Sequence, residues 1–195
     1  MNTVAKQSED TIQNTKKYIL DTARYLFSEY SYLGVSMGNI AKKLNVTKAA
    51  LYYHFAGKME IYEKVLDDVF NDLSLLMKEA LNETTIEKKL QKLIKNYLDF
   101  GFKEKNLIKA LILKLSPTDP QIKKHIIQLR EQIADLIQPV VKEMFLNKKP
   151  TQKIDSKLLT SLFTGMMDSL LLEYSFLNKK IDSGKVSNQI VAILF

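Results

Sequence analysis

Residues 36–58 read Ser-Met-Gly-Asn-Ile-Ala-Lys-Lys-Leu-Asn-Val-Thr-Lys-Ala-Ala-Leu-Tyr-Tyr-His-Phe-Ala-Gly-Lys. Lys42, Lys43, Lys48 and Lys58 are the charged residues of this segment, which has no Asp or Glu. Tyr52, Tyr53 and His54 are consecutive, so helical spacing sends them round roughly 200° of arc and at least one polar tip must face outward. Ammonium, phenol and imidazole groups without competing carboxylates suit phosphate oxygens, and a lysine can also donate to guanine N7 or O6. The chemistry expected here is recognition of nucleic acid rather than bond-breaking.

Catalytic patterns are otherwise thin. The chain has two histidines, His54 and His125, and no cysteine. His54 belongs to the basic segment, and His125, inside Lys123-Lys124-His125, reads as a solvated face. No Gly-rich phosphate loop and no metal-spaced His/Glu cluster is present. No enzyme, metal site or cofactor is therefore expected. Asp168 is the one acid embedded in an apolar helix. It either faces a cationic ligand or is a hydrogen-bonded acid at a dimer seam or helix flank, and the second reading is favoured because structural pairs also place acids in such spots.

Positioning the basic segment requires two short helices and a tight turn. Ile40, Ala41 and Leu44 form the buried stripe of the first. Asn45 tolerates the left-handed backbone that a sharp stop needs. Val46 is expected to return to the interior, and Thr47 to cap the second helix. Leu51 and Phe55 give that helix its apolar face, while Ala49 and Ala50 permit close approach. Gly57 reads as its C-cap. Helix, short turn, helix is the helix-turn-helix unit. Lys58 then falls in the first turn of the next helix, where a cation opposes the macrodipole unless a phosphate also sits there. The alternative is a solvated lysine.

The sequence here resembles the TetR family of bacterial transcriptional regulators. The matching residues are Ile19-Leu20-Asp21-Thr22-Ala23-Arg24-Tyr25-Leu26-Phe27, Tyr32-Leu33-Gly34-Val35-Ser36, Ile40-Ala41, Leu51-Tyr52-Tyr53-His54-Phe55 and Lys58. Three positions depart from the family pattern. Ser31 replaces a Gly at the end of the first helix, which implies mild backbone strain. Asn39 replaces the acid that often closes a capping box with Ser36. Asn45 replaces the Gly of the turn. The resemblance implies that Lys48, Ala49 and Tyr52 lie nearest base edges, and that Ser36, Thr47, Tyr53, His54 and Lys58 hold phosphates of double-stranded DNA.

Composition agrees. The chain has 195 residues and a net charge of +7. Residues 1–58 hold eight basic against four acidic residues, so more than half the excess lies in under a third of the chain. That local asymmetry is the footprint of a nucleic-acid domain. Few Pro and Gly and no β-branched runs favour an all-α protein. The absence of cysteine suits a cytoplasmic location, no stretch reaches the roughly 18 apolar residues of a membrane span, and the first residues do not resemble a signal peptide.

The expected architecture is an arm and helix-turn-helix DNA-binding domain over 1–58, followed by a helical effector-binding and dimerisation domain over 59–195. Residues 1–14 read as a flexible arm, and the first helix is expected over 15–30 with Ile19, Ala23, Phe27 and Tyr30 on one face. Further helices are expected over 58–81, 86–105, 107–115, 120–145, 155–181 and 186–195. The helix from Asp155 is apolar on more than one side, through residues such as Leu158, Leu162, Phe163 and Met166. A line through Ser161, Gly165, Asp168 or Ser169, and Leu172 is mostly small. A helix apolar on two sides needs two partners, and the second is read as another copy of the chain. The resemblance implies the same homodimer through the last two long helices. It also implies a pocket for a small hydrophobic effector beneath the helix starting at Lys58, with Tyr62, Leu66, Phe70, Tyr97, Phe102, Phe163, Met167 and Tyr174 as candidate lining. Two functions remain open: an effector-responsive DNA-binding regulator, most simply a repressor, and a helical adaptor or constitutive DNA binder that uses no effector.

Overall fold

The computed structural model describes residues 2–104, 106–109, 120–146, 155–176 and 181–195, with side chains described from residue 12 and not for 175 and 176. Within them the chain is all-α: α1 (Asn2–Gly34), α2 (Met37–Leu44), α3 (Lys48–His54), α4 (Lys58–Leu81), α5 (Ile86–Lys103), α6 (Pro120–Leu146), α7 (Ser156–Phe176) and α8 (Ser183–Leu194). The expected loop at 147–151 and most of the expected 107–115 helix lie outside the described residues.

The first helix is longer than expected. It begins at Asn2 rather than near residue 15, so the backbone of the expected arm is helical. It buries Ile19, Ala23, Leu26 and Phe27. Tyr30, expected on that face, is 59% exposed. The cause is Ser31, whose φ of 61° and ψ of 173° break the helix. Beyond the break Tyr32 takes the core place, its ring 6.1 Å from Phe27 and 4.7 Å from Tyr62.

Ser31 thus sits in a backbone region that favours glycine, at a cost of about 1–3 kcal/mol. Ser31→Gly is expected to raise stability by about 1 kcal/mol, because glycine's extra freedom in the unfolded chain offsets part of the relief. For a chain this size that is roughly 2–4 °C in melting temperature. A thermal melt showing no increase would mean that the strain is not borne in solution.

The hairpin forms as its residues dictate. Ser36 caps α2, its hydroxyl accepting from the Asn39 amide, while the Asn39 side chain accepts from the Ser36 amide at 2.8 Å and completes a capping box without an acid. Asn45 stops α2 in the left-handed region, at φ 56° and ψ 41°. Its N–H donates to Lys42 O, and the Val46 N–H donates to Ala41 O at 3.0 Å. That pair of bonds is a Schellman stop. It holds Val46 by its backbone and leaves the side chain 45% exposed, contrary to its expected return to the interior. Thr47 caps α3 by accepting from Ala50 N–H at 3.2 Å. Gly57 does not cap α3. Phe55 does so in an extended conformation, and Gly57, also extended, is the N-cap of α4. With no side chain at that cap, Glu60 reaches back to accept from Ala56 N–H at 2.6 Å.

Helix α4 runs from Lys58 to Leu81 as expected and packs on α1, α5 and α6. It buries Ile61, Tyr62, Val65, Leu66, Val69, Leu73 and Met77, and the core continues without a break from Ile19 to Val191. Thr85 caps α5 by accepting from Lys88 N–H. Helix α5 passes close to α7 at Gly101, where a Cβ would come within 2.4 Å of Leu171. Helices α6 and α7 pack together, and α8 lies on α5. Arg24 of α1 crosses to α4 and to the end of α5. Its Nε and Nη2 donate to Glu104 at 3.0 and 2.8 Å, and its Nη1 donates to Asp72 of α4 at 2.6 Å. Asn106 adds bonds to the carbonyls of Ser28 and Glu29 near the end of α1.

Candidate nucleic-acid interface and effector cleft

Leu51 is fully buried and Phe55 nearly so, which anchors α3 by one face. The opposite face is open: Thr47, Lys48, Ala49, Ala50, Tyr52 and Tyr53 are all exposed, Tyr53 at 78%. Lys48 lies across Gly38 of α2, where an added Cβ would stand 3.0 Å from the lysine Cε. A side chain at 38 would therefore displace Lys48. His54 is half-buried, its ring edge-on to Tyr53 at 5.0 Å. Its Nδ1 has no partner among the described residues. Lys42 and Lys43 stand in the last turn of α2, where cations complement the helix dipole. The Lys43 ammonium also sits 5.3 Å from the Tyr25 ring.

Two expected phosphate contacts are partly committed elsewhere. Lys58 turns back to donate to the carbonyls of Tyr32 at 3.0 Å and Val35 at 2.9 Å, with its ammonium 3.9 Å from the centre of the Tyr32 ring. Burial lowers its pKa below the ordinary lysine value. The conflict between a cation and the α4 N-terminus is thus resolved by feeding it carbonyl oxygens, and it leaves one of the three ammonium N–H groups uncommitted. The Ser36 hydroxyl proton is directed at the Asn39 side chain. What remains free near Ser36 are the first amides of α2, which have no intrahelical partner by position.

A second site opens in the C-terminal part of the chain. A cleft of about 320 Å³ lies between α4, α5, α6 and α7, with Phe70, Leu73, Tyr97, Ile133 and Met167 among its walls. Phe70, Tyr97 and Met167 were expected there. Tyr62, Leu66, Phe102, Phe163 and Tyr174 are not in its wall. Tyr62 instead packs in the aromatic cluster with Phe27 and Tyr32, and Leu66 is fully buried core. The periodicity that marks a residue as inward-facing does not say which inward space it meets.

The cleft also holds a polar cluster drawn from three helices. Asp168 of α7, 8% exposed, accepts from the Tyr97 hydroxyl of α5 through one oxygen and from Arg130 Nη2 of α6 through the other. Asp168 is therefore a hydrogen-bonded acid, but inside one protomer rather than on an outer seam. Burial, and then the neighbouring carboxylate, hold the Tyr97 hydroxyl well above its ordinary pKa. Burial works against the charge on Arg130, and Asp168 outweighs it, so its pKa is raised. Arg130 escaped the sequence reading. Its signal was composition: only Arg24 and Arg130 among 29 basic residues are arginine. His125, expected on a solvated face, instead lies 2.8 Å from Asp67 of α4. Among the described residues no group of His, Cys, Asp and Glu could hold a metal, and no helix is long and apolar enough to cross a membrane.

A helix-turn-helix with an acid-free outer face, carried on a helical domain with an internal cleft, defines a two-domain transcriptional regulator. The chain belongs to the TetR family of bacterial regulatory proteins, whose model matches residues 19–65. It is 33% identical over 129 residues to the biofilm operon icaADBC negative transcriptional regulator IcaR of Staphylococcus aureus strain Newman, covering 66% of this chain and 67% of that one. A Clostridium perfringens putative fatty acid metabolism regulator shares 26% identity at a TM-score of 0.69, over 90% of this chain and 95% of that one. The Bacillus subtilis regulator FadR, solved in complex with stearoyl-CoA, has the same fold at 19% identity and a TM-score of 0.75, over 90% and 95% of the two chains.

Proposed function

We propose that the protein is a homodimeric repressor that binds a palindromic operator in the cytoplasm and is released by a small amphiphilic effector in the α4–α7 cleft. The observation that carries this reading is α3, anchored by Leu51 and Phe55 and presenting Lys48, Ala49, Tyr52 and Tyr53 outward with no carboxylate in residues 36–58. An adaptor would have no use for such a face. In a major groove, Lys48, Ala49 and Tyr52 meet base edges. Ser36, Thr47, Tyr53, His54 and the spare N–H of Lys58 surround phosphates, together with the first amides of α2. Repression agrees with the negative regulator IcaR, and an acyl effector with the stearoyl-CoA held by FadR. Effector and operator are coupled because a ligand that prefers one tilt of α4 shifts the population of dimers whose recognition helices are correctly spaced.

The first experiment is selection of the operator from random DNA, followed by a screen of amphiphiles for release. Lys48→Ala should then cost about 1–3 kcal/mol on the operator and relax specificity at one base pair. Lys58→Ala should weaken operator and random DNA alike and flatten the salt dependence. It should also lower the melting temperature, because two carbonyl contacts are lost. If both variants lose the same affinity on both DNAs, this division of roles is wrong. Selection that enriches no sequence would overturn the repressor itself.

A further inference from the structure

The two arginines of the chain make unequal use of the same fork. Arg24 holds two carboxylates at once, Glu104 along its Nε–Nη2 edge and Asp72 through Nη1. Arg130 holds one, Asp168, through Nη2, and also lies against the Tyr97 hydroxyl. Among the described residues Arg130 has no second carboxylate partner, and its side chain stays 29% exposed at the cleft. A guanidinium, unlike an ammonium, presents a planar fork that can serve two acceptors on different edges. The rest of the nearby wall is largely apolar, with Phe70, Leu73, Ile133 and Met167.

We infer that the effector is a carboxylate-bearing amphiphile whose head becomes the second carboxylate partner of Arg130 while its hydrocarbon lies against those apolar residues. This rests on the cleft being the effector site. A carboxylate can dock without breaking anything, since Asp168 keeps both the Arg130 and Tyr97 contacts. An amine would bring a second cation beside Arg130 and compete with it for Asp168. A neutral head gains no charge-assisted bond. A phosphate dianion would bring a second full charge toward Asp168 and Glu131, which also lines the cleft. Asp168 is then both the group that orients Arg130 and an anion that weakens its hold on the ligand.

The test uses the full chain and four probes of equal chain length: decanoate, decanol, decylamine and decanoyl-coenzyme A, with affinities from calorimetry. Decanoate should bind at least about tenfold more tightly than decanol or decylamine, the share expected of one charge-assisted pair. Arg130→Lys keeps a cation beside Asp168 but removes the second edge, and should erase most of that preference while leaving decanol unchanged. Asp168→Asn should strengthen decanoate by roughly three- to tenfold, because the competing anion is gone. Melting curves check that both variants fold, and the wild-type ranking of probes stands as a test without either. Equal binding of decanoate and decanol, or a preference for decylamine, overturns the carboxylate while leaving an effector cleft. Binding of the thioester with none of the free acid does the same and assigns the head to an acyl thioester. Failure of every probe, together with no release from the operator by any screened compound, overturns the effector reading itself.

Discussion

Replacing Arg24 with methionine should lower stability by about 3 kcal/mol, because it strands the Glu104 carboxylate in the interior. The Glu104 side chain is only 7% exposed and depends on the Nε and Nη2 contacts of Arg24. The magnitude is that of a buried ion pair broken from one side, not of a surface pair. Asp72 supplies the contrast. Its carboxylate is half exposed, so Asp72→Asn should cost less than about 1 kcal/mol. Adding Glu104→Leu to the Arg24 variant should recover much of the loss, since it removes the unpaired charge rather than restoring a partner. Urea unfolding of the four proteins measures all of this. A loss below about 1 kcal/mol for the Arg24 variant would show that the pair is solvated after all. Because Arg24 lies on the DNA-binding side and Glu104 beside the segment that reaches the cleft through Ile108, the folded variant should also bind effector and operator with weaker mutual influence.

The second large effect concerns assembly. Helix α7 turns Leu159, Phe163, Met167 and Leu171 inward and leaves Leu158, Leu162, Gly165 and Ser169 exposed along another side. On α8, Ile193 is 81% exposed. Leu158 and Leu162, exposed on one side of α7 with Gly165 beside them, suit close packing against a second copy. A Cβ at Gly165 would meet nothing within 4 Å. Gly165→Arg therefore leaves the protomer's packing untouched while placing a charge at the centre of the proposed seam. It should convert the dimer to a monomer in sedimentation and weaken operator binding by at least about a hundredfold, as a bivalent contact becomes monovalent. A melting temperature that rises with protein concentration in the wild type, and not in the variant, would agree. A native protein that sediments as a monomer at micromolar concentration would refute the dimer.

The hairpin was legible because its instructions are local. Ser36, Asn45 and Thr47 act on backbone groups within a few residues, so their identities alone mark where helices start and stop. Leu51 and Phe55 announced the buried side of α3 by spacing. Tyr30, Val46 and Gly57 were misread for one shared reason: hydrophobicity and glycine were taken to fix side-chain direction and cap type, when a left-handed residue or an extended one next door decided both. Lys58 and Arg130 were beyond local reading. The carbonyls that hold Lys58 belong to Tyr32 and Val35, at the corner between α1 and α2. The partner of Arg130 is 38 residues away. Asp168 was recognisable as an acid needing company, and the rarity of arginine could have named the company. The lining of the cleft was least legible, because aromatic stripes on α4 and α5 face both a solid core and a cleft, and nothing in spacing separates the two.

The neutral amide at Asn39 has an electrical consequence for the end of α2. A carboxylate in that position would complete the same cap, but it would leave a fixed negative charge at the pole of the helix proposed to meet the DNA backbone. Asn39 closes the box with a carbonyl oxygen, so the partial positive charge of that pole is left whole. No counter-charge then has to be neutralised or pushed aside as a phosphate arrives. The ionic-strength dependence of operator binding should then follow the lysines and the helix amides together, without a local term of opposite sign.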